Sequence, residues 1–109
     1  MVYVDTSSDL VGGGTQFPRI KRPADKRWCR FIECEKGNGE EGDERTSVEA
    51  SRDVKRSDGV TFKAIKGNAV YWENLRDDGI GYEETWHAGL PVERGMKIGL
   101  NIWSWFQFR

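Results

Sequence analysis

The stretch ETWHAGLPVERGMKIGLNIWSW, residues 84–105, holds the one histidine of the chain, and Lys97 follows His87 by ten positions. A neutral imidazole offers a lone pair to a transition metal or a proton. An ammonium is a compact charge for a carboxylate. Side chains alternate along a strand, so Lys97, Gly99, Asn101, Trp103 and Trp105 are expected on one face. Ile98, Leu100 and Ile102 fall on the other, as an ordinary packing stripe. A face made of lysine, glycine and aromatic rings packs poorly. It makes a good wall for a small anion, with charge from Lys97, room at Gly99 and a flat lid at Trp103. Thr85 and His87 share one parity on the preceding strand. A hairpin through Glu93–Gly95 can place His87 and Lys97 on one cavity, although the sequence does not fix its register. Spacing alone also fits a surface histidine and a lysine that reaches solvent along its own stem.

Short strands must carry these residues. Met1–Val4 is a β-type run, and Asp5–Asp9 are turn formers. Gly12, Gly13 and Gly14 permit backbone that other residues resist. Thr15–Ile20 returns to extended structure, interrupted by Pro18, and Pro23 and Asp25 mark a turn before the aromatic Trp28–Ile32 stretch. VTFKAIKG, AVYWENL, ETWHAGLPV and MKIGLNIWSWFQF read as four further strands separated by turns. No segment keeps helical periodicity for three turns. The chain is expected to be mainly β: a sandwich, barrel or jelly roll. Residues 36–59 differ, with half their positions charged and none aromatic. They are expected to form a mobile surface insertion, or a short exposed helix around Thr46–Lys55.

With 109 residues this is one domain with a modest core. The net charge of −1 favours neither nucleic acid nor an anionic membrane. No apolar run is long enough to span a bilayer, and MVYVDTSSDL does not have the form of a signal peptide. Cys29 and Cys34 are either a local disulfide or free thiols beside Trp28, Phe31 and Ile32. A zinc site needs further ligands that one histidine cannot supply.

HAGLPVERGMK, with tryptophan six residues after the lysine, resembles the C-terminal signature of prolyl 4-hydroxylase-type 2-oxoglutarate/Fe(II) dioxygenases. GGGTQFP resembles the G-G-E-T-x-F-P turn of that family, and IKGNAVYWENL its K-G-x-A-x-x-x-x-N-L stretch. WCRFIEC and GYEETWHAGLPV are similar to the fungal branch. The resemblance covers most of the chain outside residues 36–59. It implies a double-stranded β-helix (jelly-roll, cupin-like) fold, with His87 as the distal iron ligand. It further implies that Lys97 binds the far carboxylate of 2-oxoglutarate, with Thr15 and Trp103 beside it and Tyr3 as a wall. Family members use O₂, Fe(II) and 2-oxoglutarate to hydroxylate prolyl residues, with ascorbate keeping the iron reduced. A proline-containing peptide or protein is the implied substrate, and the endoplasmic reticulum the implied compartment.

The sequence also departs from the family. The iron site takes two histidines and a carboxylate. The family draws one histidine and the aspartate from an H-x-D motif, and this sequence has no second histidine. The chain is therefore expected to be the C-terminal part of a catalytic domain, without its first core strands. It is expected to hold iron weakly, to show little or no hydroxylase activity, and to self-associate through exposed edge strands. The alternatives are a non-catalytic remnant that binds proline-rich peptides, and a site completed by another chain. Gly14 stands where the family has glutamate, which is expected to loosen that turn.

Overall fold

A computed structural model describes residues 1–34 and 59–104. The chain is mainly β and its strands pair antiparallel. The strands are β1 (Val2–Thr6), β2 (Val11–Gly12), β3 (Thr15–Lys21), β4 (Gly59–Phe62), β5 (Ala88–Gly89), β6 (Val92–Arg94) and β7 (Lys97–Leu100). A 3-10 turn, Lys26–Arg30, follows β3. Among the described residues no helix is long and apolar enough to cross a membrane. The charged run 36–59 lies outside the described residues except for Gly59, and so does Trp105.

The strands form three small sheets: β1 with β7, β2 with β6, and β4-β3-β5 with β3 in the middle. In β1 the alternation of Val2, Tyr3 and Val4 turns Tyr3 inward, where it is fully buried. Tyr3 pairs with Gly99 across the sheet, and Thr6 with Lys97. In β3, Thr15 and Phe17 face the interior together, opposite Phe62 and Val60 of β4. Phe17, Ile32 and Val60 are the buried centre, with Phe62, Val70 and Trp72 packed against them. The ring of Phe17 meets Phe62 and Trp72 edge-on, at centroid distances of 5.8 and 5.2 Å. Pro18 has no N–H for the ladder, and the β3–β4 register slips beyond Phe17. Gly59 is required there, because a Cβ would come within 2.6 Å of the Pro18 Cα.

Several sequence expectations need correction. AVYWENL forms no strand of its own. Residues 67–70 run beside β1, with the Val70 amide donating to the Met1 carbonyl and the Tyr3 amide to the Asn68 carbonyl, both at 2.9 Å. Past Val70 the segment leaves β1, and its one further bridge is Leu75 to Gly81. ETWHAGLPV is split, because Ala88–Gly89 joins β3 whereas Val92–Arg94 joins β2. Glu93–Gly95 is a corner between sheets rather than a hairpin. Gly95 makes that corner with φ 85°, and a Cβ there would lie 2.8 Å from the Leu10 Cα. The Ile98, Leu100 and Ile102 stripe does not pack. Those side chains are 47%, 50% and 72% exposed, and Val4 is 47% exposed. Among the described residues nothing covers that outer face. Cys29 and Cys34 form a disulfide.

Candidate functional site

The interior face of β3 organises the site. Thr15, 3% exposed, is a buried polar residue on the face of β3 that also carries Phe17. Its hydroxyl and the Tyr3 hydroxyl are 2.6 Å apart in a buried hydrogen bond. Burial pushes the Tyr3 phenol above its ordinary value, and the bond to Thr15 partly offsets this. The phenol therefore stays neutral at physiological pH. Lys97 reaches the same group from β7. Its half-buried ammonium lies 6.0 Å from the Tyr3 ring centroid and donates to the Gly13 carbonyl at 2.6 Å. Among the described residues Lys97 has no carboxylate partner.

The glycine run shapes the floor. Gly13 is buried at φ 75°, and a Cβ there would meet the Lys97 stem at 3.4 Å and Val92 at 3.1 Å. Gly14 is not a loosened turn. It is buried, its carbonyl accepts from the Leu90 amide at 2.8 Å, and a Cβ would come 2.7 Å from the Phe62 carbonyl oxygen. A side chain at position 14 has no room in this packing.

His87 borders the same interior face from β5's side. Thr15 pairs with Gly89 and Gln16 with Ala88, so alternation brings His87 toward Phe17. The imidazole lies 5.4 Å from the Phe17 ring and 4.7 Å from the Trp72 ring, centroid to centroid. Its Nδ1 is 2.7 Å from the Thr85 carbonyl oxygen. A carbonyl can only accept, so in the neutral ring Nδ1 carries the proton and Nε2 keeps its lone pair. This is how a metal-ligating imidazole is usually oriented. The ring also lines an open cleft of about 390 Å³ with Arg19, Asn74, Tyr82, Glu83 and Trp86. The Arg19 guanidinium sits 5.2 Å from the Trp86 ring centroid and 3.8 Å from the Glu83 carboxylate.

Four of the five residues singled out from the sequence thus border one face. Lys97, Tyr3 and Thr15 touch in series at one end, and His87 stands beyond Phe17 at the other. Thr15 and Phe17 are two residues apart on β3, a step of about 7 Å. Trp103 is not brought to this group. It is 68% exposed beyond the end of β7 and lines neither of the clefts described. The sequence reading missed Trp72, Trp86 and Arg19 around His87. The parity of Thr15, Phe17 and Arg19 on β3 was a usable signal for Arg19. Nothing local announced Trp72.

Among the described residues no group of three or more His, Cys, Asp or Glu side chains could hold a metal ion. His87 alone fits one position of a two-histidine, one-carboxylate site, and the residues present do not complete it. No family model matches the chain, and neither the curated proteins nor the solved structures contain a match.

Proposed function

We propose that this chain carries the cosubstrate end of a prolyl 4-hydroxylase-type 2-oxoglutarate dioxygenase, its antiparallel sheets being part of a double-stranded β-helix. The observation that carries this reading is the Lys97 ammonium, half-buried without a carboxylate partner among the described residues. It lies 6.0 Å from the centroid of the Tyr3 ring, whose hydroxyl bonds to that of Thr15, on the face that His87 borders. A half-buried ammonium with no carboxylate partner among the described residues favours an anion. In this reading Lys97 pairs with the far carboxylate of 2-oxoglutarate, and Thr15 and Tyr3 wall that end. His87 offers Nε2 toward iron.

Bound iron supplies O₂ activation in such enzymes, with ascorbate as its reductant and a prolyl side chain as the target. The residues here provide one imidazole of that site. Turnover therefore needs a second histidine from outside this sequence and a carboxylate beside His87, and the chain alone is expected to have little or no hydroxylase activity. The test is an anaerobic titration with Fe(II) and 2-oxoglutarate, following the visible charge-transfer band of the chelate. A weak saturable band, lost in His87→Ala and in Lys97→Ala, supports the reading. A band unchanged by His87→Ala, or no band at any Fe(II) concentration, removes His87 as a ligand.

One observation favours a second reading, a non-catalytic module for proline-rich peptides. Trp86 is 64% exposed in the cleft beside His87, with Tyr82 next to it. Aromatic grooves of this kind receive polyproline segments. Binding of a proline-rich peptide without iron, lost in Trp86→Ala, supports this second reading.

A further inference from the structure

A second cleft of about 390 Å³ opens where the 3-10 turn meets β4 and residues 67–70. Its walls are Tyr3, Trp28, Phe31, Phe62, Lys63 and Val70. It shares Tyr3 with the Lys97 group and no residue with the His87 cleft. Trp28 and Phe31 stand edge to face, centroids 6.5 Å apart, and are 49% and 39% exposed. Both rings are held firmly at their backbones. The Phe31 amide donates to the Trp28 carbonyl and the Lys63 amide to the Phe31 carbonyl, each at 2.8 Å. The Cys29–Cys34 disulfide closes the loop that carries Phe31.

Among the described residues the cations at this cleft have no carboxylate partner. The Lys63 ammonium makes one hydrogen bond, to the Cys29 carbonyl at 2.8 Å, which leaves two N–H donors. Among the described residues it has no carboxylate partner. The Arg30 guanidinium lies 5.3 Å from the Phe31 ring centroid and adds a second positive charge at the rim. A cleft with aromatic walls and a few polar groups, here Lys63 and Asn68, is a usual form of a small-molecule site, and this volume lies at the low end of the usual range, room for about one ring. Trp28 and Phe31 touch edge to face, and their exposed sides can pack against a ligand ring laid over them. A charge-assisted bond to Lys63 favours a carboxylate over a neutral group.

We propose that this cleft binds a small aromatic monocarboxylate, its ring against the exposed sides of Trp28 and Phe31 and its carboxylate on the Lys63 ammonium. The test is a titration with phenylacetate, using uncharged phenylacetamide as the control. Binding is followed by saturation-transfer NMR of the ligand and by the Trp28 indole N–H resonance. The expected result is saturable binding of phenylacetate, at least tenfold tighter than phenylacetamide. Lys63→Met weakens it at least tenfold, Trp28→Ala abolishes the indole response, and Lys21→Met, at the exposed end of β3, leaves binding unchanged. Equal binding of acid and amide by the unaltered protein overturns the proposal, as does the absence of saturable binding. Full retention of phenylacetate binding in Lys63→Met overturns it too. The acid–amide comparison needs no variant, so the proposal stays testable if Lys63→Met fails to fold.

Discussion

Thr15→Val removes one hydroxyl and keeps the shape of the side chain. In the folded chain that hydroxyl is the partner of the fully buried Tyr3 phenol, at 2.6 Å. The variant leaves a buried phenol unsatisfied, which costs about 1–3 kcal/mol. Tyr3→Phe alone strands the Thr15 hydroxyl and costs a similar or smaller amount. The double variant removes both partners and is expected to be nearly neutral relative to the costlier single change. The two single losses therefore exceed the loss in the double, with a coupling of about 1 kcal/mol or more. Urea unfolding of the four proteins at neutral pH reads this directly, provided the slopes agree. For a domain of this size each kcal/mol is about 4–8 °C in Tm. The same pair predicts a pH effect. The folded-state pKa of Tyr3 is raised above its ordinary value of 10.0 by burial. A raised folded pKa contributes stability that is fully present below the unfolded value and is lost as pH rises through the folded one. The unaltered protein should thus lose stability above about pH 10 faster than Tyr3→Phe does. Additive single variants, with no coupling and identical alkaline profiles, would refute the buried hydrogen bond on which the site's geometry rests.

Two further expectations follow from the same packing. Reducing the Cys29–Cys34 disulfide, which spans five residues, should cost about 2 kcal/mol by loop entropy. It should also loosen Ile32, which is 1% exposed, so denaturant midpoints with and without reductant should differ while a Cys29→Ser/Cys34→Ser double variant shows no such difference. Ile98→Lys with Leu100→Lys should lower self-association in sedimentation velocity without lowering the denaturation midpoint, because both side chains are about half exposed and the edge of β7 away from β1 pairs with no described strand. Unchanged association would remove the β1–β7 face as the contact.

The parts legible in the sequence are those set by local alternation. Tyr3 inward on β1, Thr15 and Phe17 inward on β3, and Lys97 inward on β7 all follow from a period of two. The pairing of β1 with β7 joins Tyr3 to Lys97, and the packing of that sheet against β3 adds Thr15. What stayed hidden depends on distant neighbours. AVYWENL has good strand residues, yet past Val70 no described strand pairs with it. Glu93–Gly95 has hairpin length, but Gly95 turns the chain from one sheet into another. Ile98 and Leu100 alternate correctly, and whether an apolar face is buried depends on what lies above it. Trp103 has the parity of Lys97 but lies past the last paired residue, Leu100, where the ladder no longer aims it. The Nδ1–H bond from His87 to Thr85 is two residues long and local, but its direction depended on the backbone at Trp86.

The central claim is that Lys97, Tyr3 and Thr15 form a seat for the far carboxylate of 2-oxoglutarate. It is tested most directly by titrating 2-oxoglutarate into the isotope-labelled chain without metal and following backbone amide shifts by NMR. The predicted result is a saturable response at Gly13, Gly14, Thr15 and Lys97, absent in Lys97→Met and weaker with 2-oxopentanoate, which has a methyl group in place of the far carboxylate. No response at those amides, or the same response in Lys97→Met, would contradict it.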